Sequence, residues 1–199
     1  MKRILLPLLL HWVMFGHAQS ALRFEWDSLP VYTSIEAAMQ HPEKVHRLDL
    51  RKQKLKVFPP EILQFHNLIE LNLERNKIDS LPEEIGQLIH LESINVAHNE
   101  LYQLPVGIWR LTQIRYLNAA DNILSGLSIQ IQNCTLLEEL VLYDNPLEEY
   151  PDQLSDLPKL RVLDLLHNNI SFDTQDRLRA SLPDCKVIMS PPCSCADGQ

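Results

Sequence analysis

A spacing of 23 residues governs this chain. Within Leu68–His90 the apolar residues are Leu68, Leu71, Leu73, Ile78, Leu81, Ile85 and Leu88, with Asn76 at the ninth position and Pro82 at the fifteenth. The same frame restarts at Val45, Leu91, Ile114, Leu137 and Leu160. The fourth position reads Leu48, Leu71, Ile94, Leu117, Leu140, Leu163; the sixth reads Leu50, Leu73, Val96, Ala119, Leu142, Leu165. A constant period of this length implies a solenoid, in which each coil hides its apolar edge only against its neighbours.

The chemistry of one coil follows from its spacing. Alternation across Leu71, Asn72 and Leu73 has period two, so it predicts a short strand with its leucines turned inward. Where the chain leaves the strand, its buried backbone groups need new partners. Asn76, Asn99, Asn122, Asn145 and Asn168 recur there, each with one acceptor and two donors, and are expected to form a structural ladder. The pattern L-x-x-L-x-L-x-x-N-x-L, continued by L-P-x-x-I-x-x-L, resembles the leucine-rich repeat family and its 23-residue subgroup, over about residues 45–188. The resemblance implies an α/β repeat solenoid of the bacterial exported type. Such a molecule is a curved right-handed superhelix with a parallel concave sheet, a convex side of 3-10 or short helical segments, and an N-terminal helical cap. It also implies partner binding on the concave surface.

With 199 residues the chain holds one such domain and no second catalytic one. Its formal charge of −8 argues against nucleic acid or an anionic membrane as the main partner. Residues 1–18 have the layout of a signal peptide. Lys2 and Arg3 precede an apolar run from Ile4 to Phe15, and small residues stand before a cut after Ala18. The run is short for a membrane span, so no stable membrane insertion is expected once it is removed. The mature chain would then be exported to the periplasm, the cell surface or the medium, where disulfides are permitted. An uncleaved N-terminus is the alternative.

Residues 19–44 are expected to cap the first coil. Thr33 and Glu36 form a capping box for a short helix, and Phe24, Trp26, Leu29 and Tyr32 fold over the exposed end. Gln53 replaces asparagine in the first repeat and is read as an edge adjustment. Ser128 replaces proline in the fourth, which predicts a looser or differently wound outer arc. From about residue 171 a C-terminal cap is expected: a helix opened by Asp173 and Asp176, sealed by Leu178 and Leu182, then a strand over Cys185–Ile188. Residues 189–199 read as a flexible tail. Cys134 sits at an inward position as a buried thiol, while Cys185 is a candidate disulfide partner for Cys193 or Cys195.

No hydrolase, phosphate-loop or zinc-protease motif is present, and no cofactor is expected. The outward strand positions carry the functional signal. On the concave face the first coils are charged, whereas later ones gather Tyr116, Asn118, Val141, Tyr143, Val162 and Leu166. Outward apolar residues in a group point to a protein or peptide ligand, with Tyr116 and Tyr143 as anchors. Cover by the C-terminal tail or by a second copy is the other explanation. At the eighth position His98, Asp121, Asp144 and His167 fall on consecutive coils and could hold zinc or another divalent ion, although simple His–Asp pairing accounts for them as well. The leading expectation is a non-enzymatic protein-interaction module. The alternatives are a metal-dependent or carbohydrate-processing hydrolase on the concave face and a structural envelope or adhesion component.

Overall fold

The computed structural model describes residues 28–191, so residues 1–27, with the signal-peptide segment, Phe24 and Trp26, lie outside the description, as do Cys193 and Cys195. Eight strands form one wholly parallel sheet in sequence order: β1 (Val31–Tyr32), β2 (Arg47–Asp49), β3 (Glu70–Asn72), β4 (Ser93–Asn95), β5 (Tyr116–Asn118), β6 (Glu139–Val141), β7 (Val162–Leu165) and β8 (Lys186–Met189). The register follows the 23-residue frame, pairing Leu71 with Ile94, Ile94 with Leu117, and Leu117 with Leu140. The result is a curved leucine-rich repeat solenoid.

Each of the first five coils returns along the convex side through a five-residue 3-10 helix. These span Pro60–Gln64, Glu83–Gln87, Val106–Arg110, Ile129–Asn133 and Asp152–Asp156. A proline at the N-cap holds an extended backbone before four of them, and the central Ile62, Ile85, Ile108, Ile131 and Leu154 turn into the core. The fourth arc is wound like the others, against expectation. Ser128 keeps the same extended conformation, and its Oγ accepts the Gln130 N–H at 3.2 Å.

The asparagine ladder is present and buried. Asn99 is 9 % exposed; its Nδ2 donates to the carbonyls of Leu73 and Val96, and its Oδ1 accepts the Ile78 N–H at 3.0 Å. Asn122, 6 % exposed, repeats the pattern one coil later, with Val96, Ala119 and Leu101 as its partners. Gln53 departs further than a longer stem would require. It is exposed, and its Nε2 donates to Thr33 O at 2.8 Å, tying the first coil to the N-terminal cap. A second row recurs beside the ladder. Lys52, Arg75, His98, Asp121, Asp144 and His167 all have positive φ, between 48° and 60°, at the eighth position where each coil turns away from its strand.

A short helix stands near each end of the described chain. Helix α1 (Ile35–Ala38) is capped by Ser34, not Thr33: the Ser34 Oγ accepts the Ala37 N–H. Helix α2 (Phe172–Ser181) is capped by Ser171, whose Oγ accepts the Thr174 N–H, so Asp173 falls inside the first turn. There its charge favours the helix N-terminus without acting as the cap. Leu178 and Leu182 are buried, and β8 adds the last strand one residue later than the spacing suggested. The Cys134 thiol is buried against Leu111 O, and burial pushes its pKa up to about 12. Cys185 is half-buried, packed against the core, and bonded to no other cysteine among the described residues; its candidate partners Cys193 and Cys195 lie outside them.

Candidate functional site

Three columns of side chains line the concave face, from the third, fifth and seventh positions of each coil. In the first two coils this face is ionic, with Arg47 paired to Glu70, Arg51 to Asp49, and Glu74 held by Arg75 from the eighth position beside it. From the third coil onward it changes character. Ala97, Ala120, Val141 and Tyr143 form an apolar cluster separate from the main core, and Tyr116 and Leu166 pack against it. The structure thus brings together five of the expected surface residues: Tyr116 and Asn118 on β5, Val141 on β6, and Tyr143 and Leu166 just beyond β6 and β7. Val162 lies at the rim, in register with Glu139.

Two of these residues do not stand free as the alternation suggested. Val141 is 2 % exposed and Tyr143 6 %, because a concave sheet crowds the side chains it carries. Burial also raises the Tyr116 hydroxyl to about 12; the hydrogen bond with Asn118 pulls it down, and the nearby Glu139 carboxylate pushes it up. Tyr143 is raised too, by burial first and then by Asp144 and Asp121. The accessible part of the cluster is therefore its margin, Tyr116 and Leu166, over a floor of Val141 and Tyr143; Val162 is also half-buried but is not part of the cluster.

The fifth position has a role that the sequence reading missed. Asn118 Oδ1 accepts the Ala120 N–H at 3.1 Å, and Asp49, Asn72, Asn95 and Asp164 each accept the N–H two residues on in the same way. One oxygen of each side chain thus helps to turn the chain out of the strand. The signal was available in the recurrence of Asp and Asn, which favour such local turns. A second missed feature runs along the second position. Arg115 lies between Glu92 at 3.7 Å and Glu138 at 2.7 Å, and Arg161 reaches Glu138 at 3.5 Å. Alternating sign at every 23rd residue was its trace in the sequence.

The eighth-position column divides into two pairs. His98 Nδ1 bonds the Asp121 carboxylate, and His167 Nδ1 meets Asp144 Oδ1 at 2.8 Å. Among the described residues no three His, Cys, Asp or Glu side chains converge as a metal site would need.

A family model described as a leucine-rich repeat region matches residues 48–193. The chain belongs to the leucine-rich repeat family. Among solved structures, this leucine-rich repeat protein is similar to one from Leptospira interrogans, with 29 % identity and a TM-score of 0.58, over 67 % of this chain and 40 % of that one. It is also similar to the plant peptide hormone receptor RGFR1, solved in complex with RGF2, with 25 % identity and a TM-score of 0.62, over 71 % of this chain and 24 % of the receptor. Internalin C2 of Listeria monocytogenes shares the fold at 21 % identity, with a TM-score of 0.62, over 74 % of this chain and 62 % of that one. The chain thus spans less than half of the Leptospira protein that it matches. No curated protein sequence matches it. Among the described residues no helix is long and apolar enough to cross a membrane.

Proposed function

We propose that this protein is an exported, non-enzymatic recognition module that receives a protein or peptide on the C-terminal half of its concave face. The observation that carries the reading is the second apolar cluster, built on the outward side of the sheet where the core gains nothing from it. A parallel sheet facing solvent needs polar side chains there, as its first two coils have. The RGFR1 structure, a receptor holding a peptide, supports the same use of the scaffold. Against hydrolysis stands the state of the concave carboxylates. Glu139 is 5 % exposed and Asp164 2 %, and Asp164 is engaged by the Leu166 N–H, so neither is poised over a cavity as an acid or base.

Binding is tested at the margin, where substitution spares the floor. In V162E/L166E a partner isolated from the source cell and rebound to pure protein should lose most of its affinity, while I89E on an exposed outer position should not. Equal binding by both variants would discard the concave site. Export is tested by N-terminal sequencing of the native protein, which should begin at Gln19; a chain still beginning at Met1 would end that part of the reading.

A further inference from the structure

The surface charge of this protein is sorted along the solenoid. The edge by which each coil leaves its strand, from the eighth position to the fourteenth, carries Lys52, Lys54 and Lys56 in the first coil and Arg75 and Lys77 in the second, all exposed, with Asp79 as the one acid among them. The same positions of the fifth and sixth coils carry Asp144, Glu148, Glu149 and Asp173, and no lysine or arginine. Between these ends the third and fourth coils hold only Glu100 and the His98–Asp121 pair as charges, and they expose Tyr102 and Ile123, at 52 % and 57 %. The strip thus runs from basic through apolar to acidic.

Neither charged end is neutralised within the chain. Lys52, Lys54, Lys56 and Lys77 at one end, and Glu148, Glu149 and Asp173 at the other, make no ion pair among the described residues. The second and fifth coils stand three strand spacings apart, about 14 Å, which exceeds a Debye length at physiological salt, so the two ends cannot satisfy one another. A formal charge of −8 meanwhile makes a second copy repulsive from most directions.

We propose that this strip pairs two copies of the protein antiparallel, about a two-fold axis passing between the third and fourth coils. Such an axis lays the first two coils of each copy on the last two of the other, so both charged ends meet their opposites, and it sets the third coil on the fourth at the centre. There the exposed Tyr102 ring of one copy faces Ile123 of the other and the space beside Gly126, where a Cβ would meet nothing within 4 Å. A parallel pairing would set like charge on like. A partner of single sign, whether a polyanion or a basic protein, meets repulsion at one end of the strip, whereas a second copy supplies acidic, apolar and basic zones in the required order by symmetry alone. Six coils make the strip about 24 Å long and seven residues make it at most about 23 Å wide, so each copy contributes roughly 500 Å², at the lower end of specific interfaces. The dimer is therefore reversible and micromolar. Its concave faces, built from the third, fifth and seventh positions, stay open.

The test is sedimentation velocity of the natively processed protein, up to about 300 µM and at two salt concentrations. Wild type should form a dimer at low salt and shift toward monomer at high salt. K54E/K77E and E148K/E149K, with thermal melts establishing that both are folded, should each weaken self-association at least about tenfold. Their equimolar mixture should form a heterodimer, because one chain is then acidic at both ends of the strip and the other basic at both. A mixture in which K159E/K186E, away from the strip, replaces K54E/K77E should gain no such association. The proposal is overturned if wild type stays monomeric throughout, if either strip variant dimerises as tightly as wild type, if the strip variants associate no better together than apart, or if the mixture with K159E/K186E associates equally well.

Discussion

Gly107 lies so close to Glu83 that a Cβ built on it would fall 1.9 Å from the Glu83 carbonyl oxygen, while the Glu83 carboxylate accepts the N–H groups of Gly107, at 2.6 Å, and Val106, at 3.0 Å. Two convex arcs are thus locked together by one residue that has no side chain and one that reaches across. Gly107→Ala should lower unfolding free energy by about 3 kcal/mol, since backbone rather than a yielding side chain stands in the way. Urea denaturation measures it; a loss under about 1 kcal/mol would show that the arcs can separate without cost.

Asn122→Ala should be comparably severe for a different reason. It strands the buried Leu101 N–H, while the carbonyls of Val96 and Ala119 each lose one of two donors and keep Asn99 and Asn145 respectively. The unsatisfied N–H costs on the order of 1–3 kcal/mol and the two weakened carbonyls add to it, so a total of about 3 kcal/mol is expected. Because coils touch only their neighbours, the urea transition should also broaden as the two halves begin to melt apart.

Along the second position, Glu138 and Arg161 should respond unequally although they are bonded to each other. The Glu138 side chain is 8 % exposed and also holds Arg115, whereas Arg161 is 73 % exposed. Glu138→Ala is expected to cost about 2 kcal/mol through lost charge-assisted bonds, and Arg161→Ala under about 0.5 kcal/mol. Equal losses in paired thermal melts would mean that burial does not set the strength of this ladder.

Tyr116 makes stability depend on alkaline pH. Its hydroxyl ionises near 12 in the folded chain and near 10 when unfolded, so between those values the unfolded state has released a proton that the folded state retains. The contribution of Tyr116 is intact below pH 10 and disappears as pH rises through about 12. Tyr116→Phe should remove that part of the decline. The check is ultraviolet titration of phenolate absorbance alongside alkaline unfolding curves of the two proteins, and identical curves would contradict it.

The sequence was most legible where every coil repeats the same physical demand. A leucine at the fourth position and an asparagine at the ninth can be read because burial admits few other side chains, and Asn99 and Asn122 stand where the spacing placed them. Legibility fell where several residues can meet one demand. Ser34 displaced Thr33 as a cap, and Ser171 displaced Asp173, since a hydroxyl or carboxylate one or two residues away supplies the same acceptor. On the concave face the period identified which residues point outward. It could not say that Val141 and Tyr143 would be covered by their own neighbours, because curvature of the sheet is a property of the whole stack. Asn118 in the same place meets a second demand that the period does not reveal: it points outward, and its oxygen also serves the backbone.

Seven of the described residues adopt a left-handed backbone, and none of them is glycine. For lysine and arginine that geometry is adverse by roughly 1–2 kcal/mol each, while histidine and aspartate tolerate it better. A redesigned array with glycine or asparagine at these corners would be a sturdier scaffold and a blank one, stripped of the charges and His–Asp pairs that mark its rim. The natural chain thus holds thermal resilience in reserve, and variants bred for heat tolerance alone should drift first at Lys52, Lys54 and Arg75.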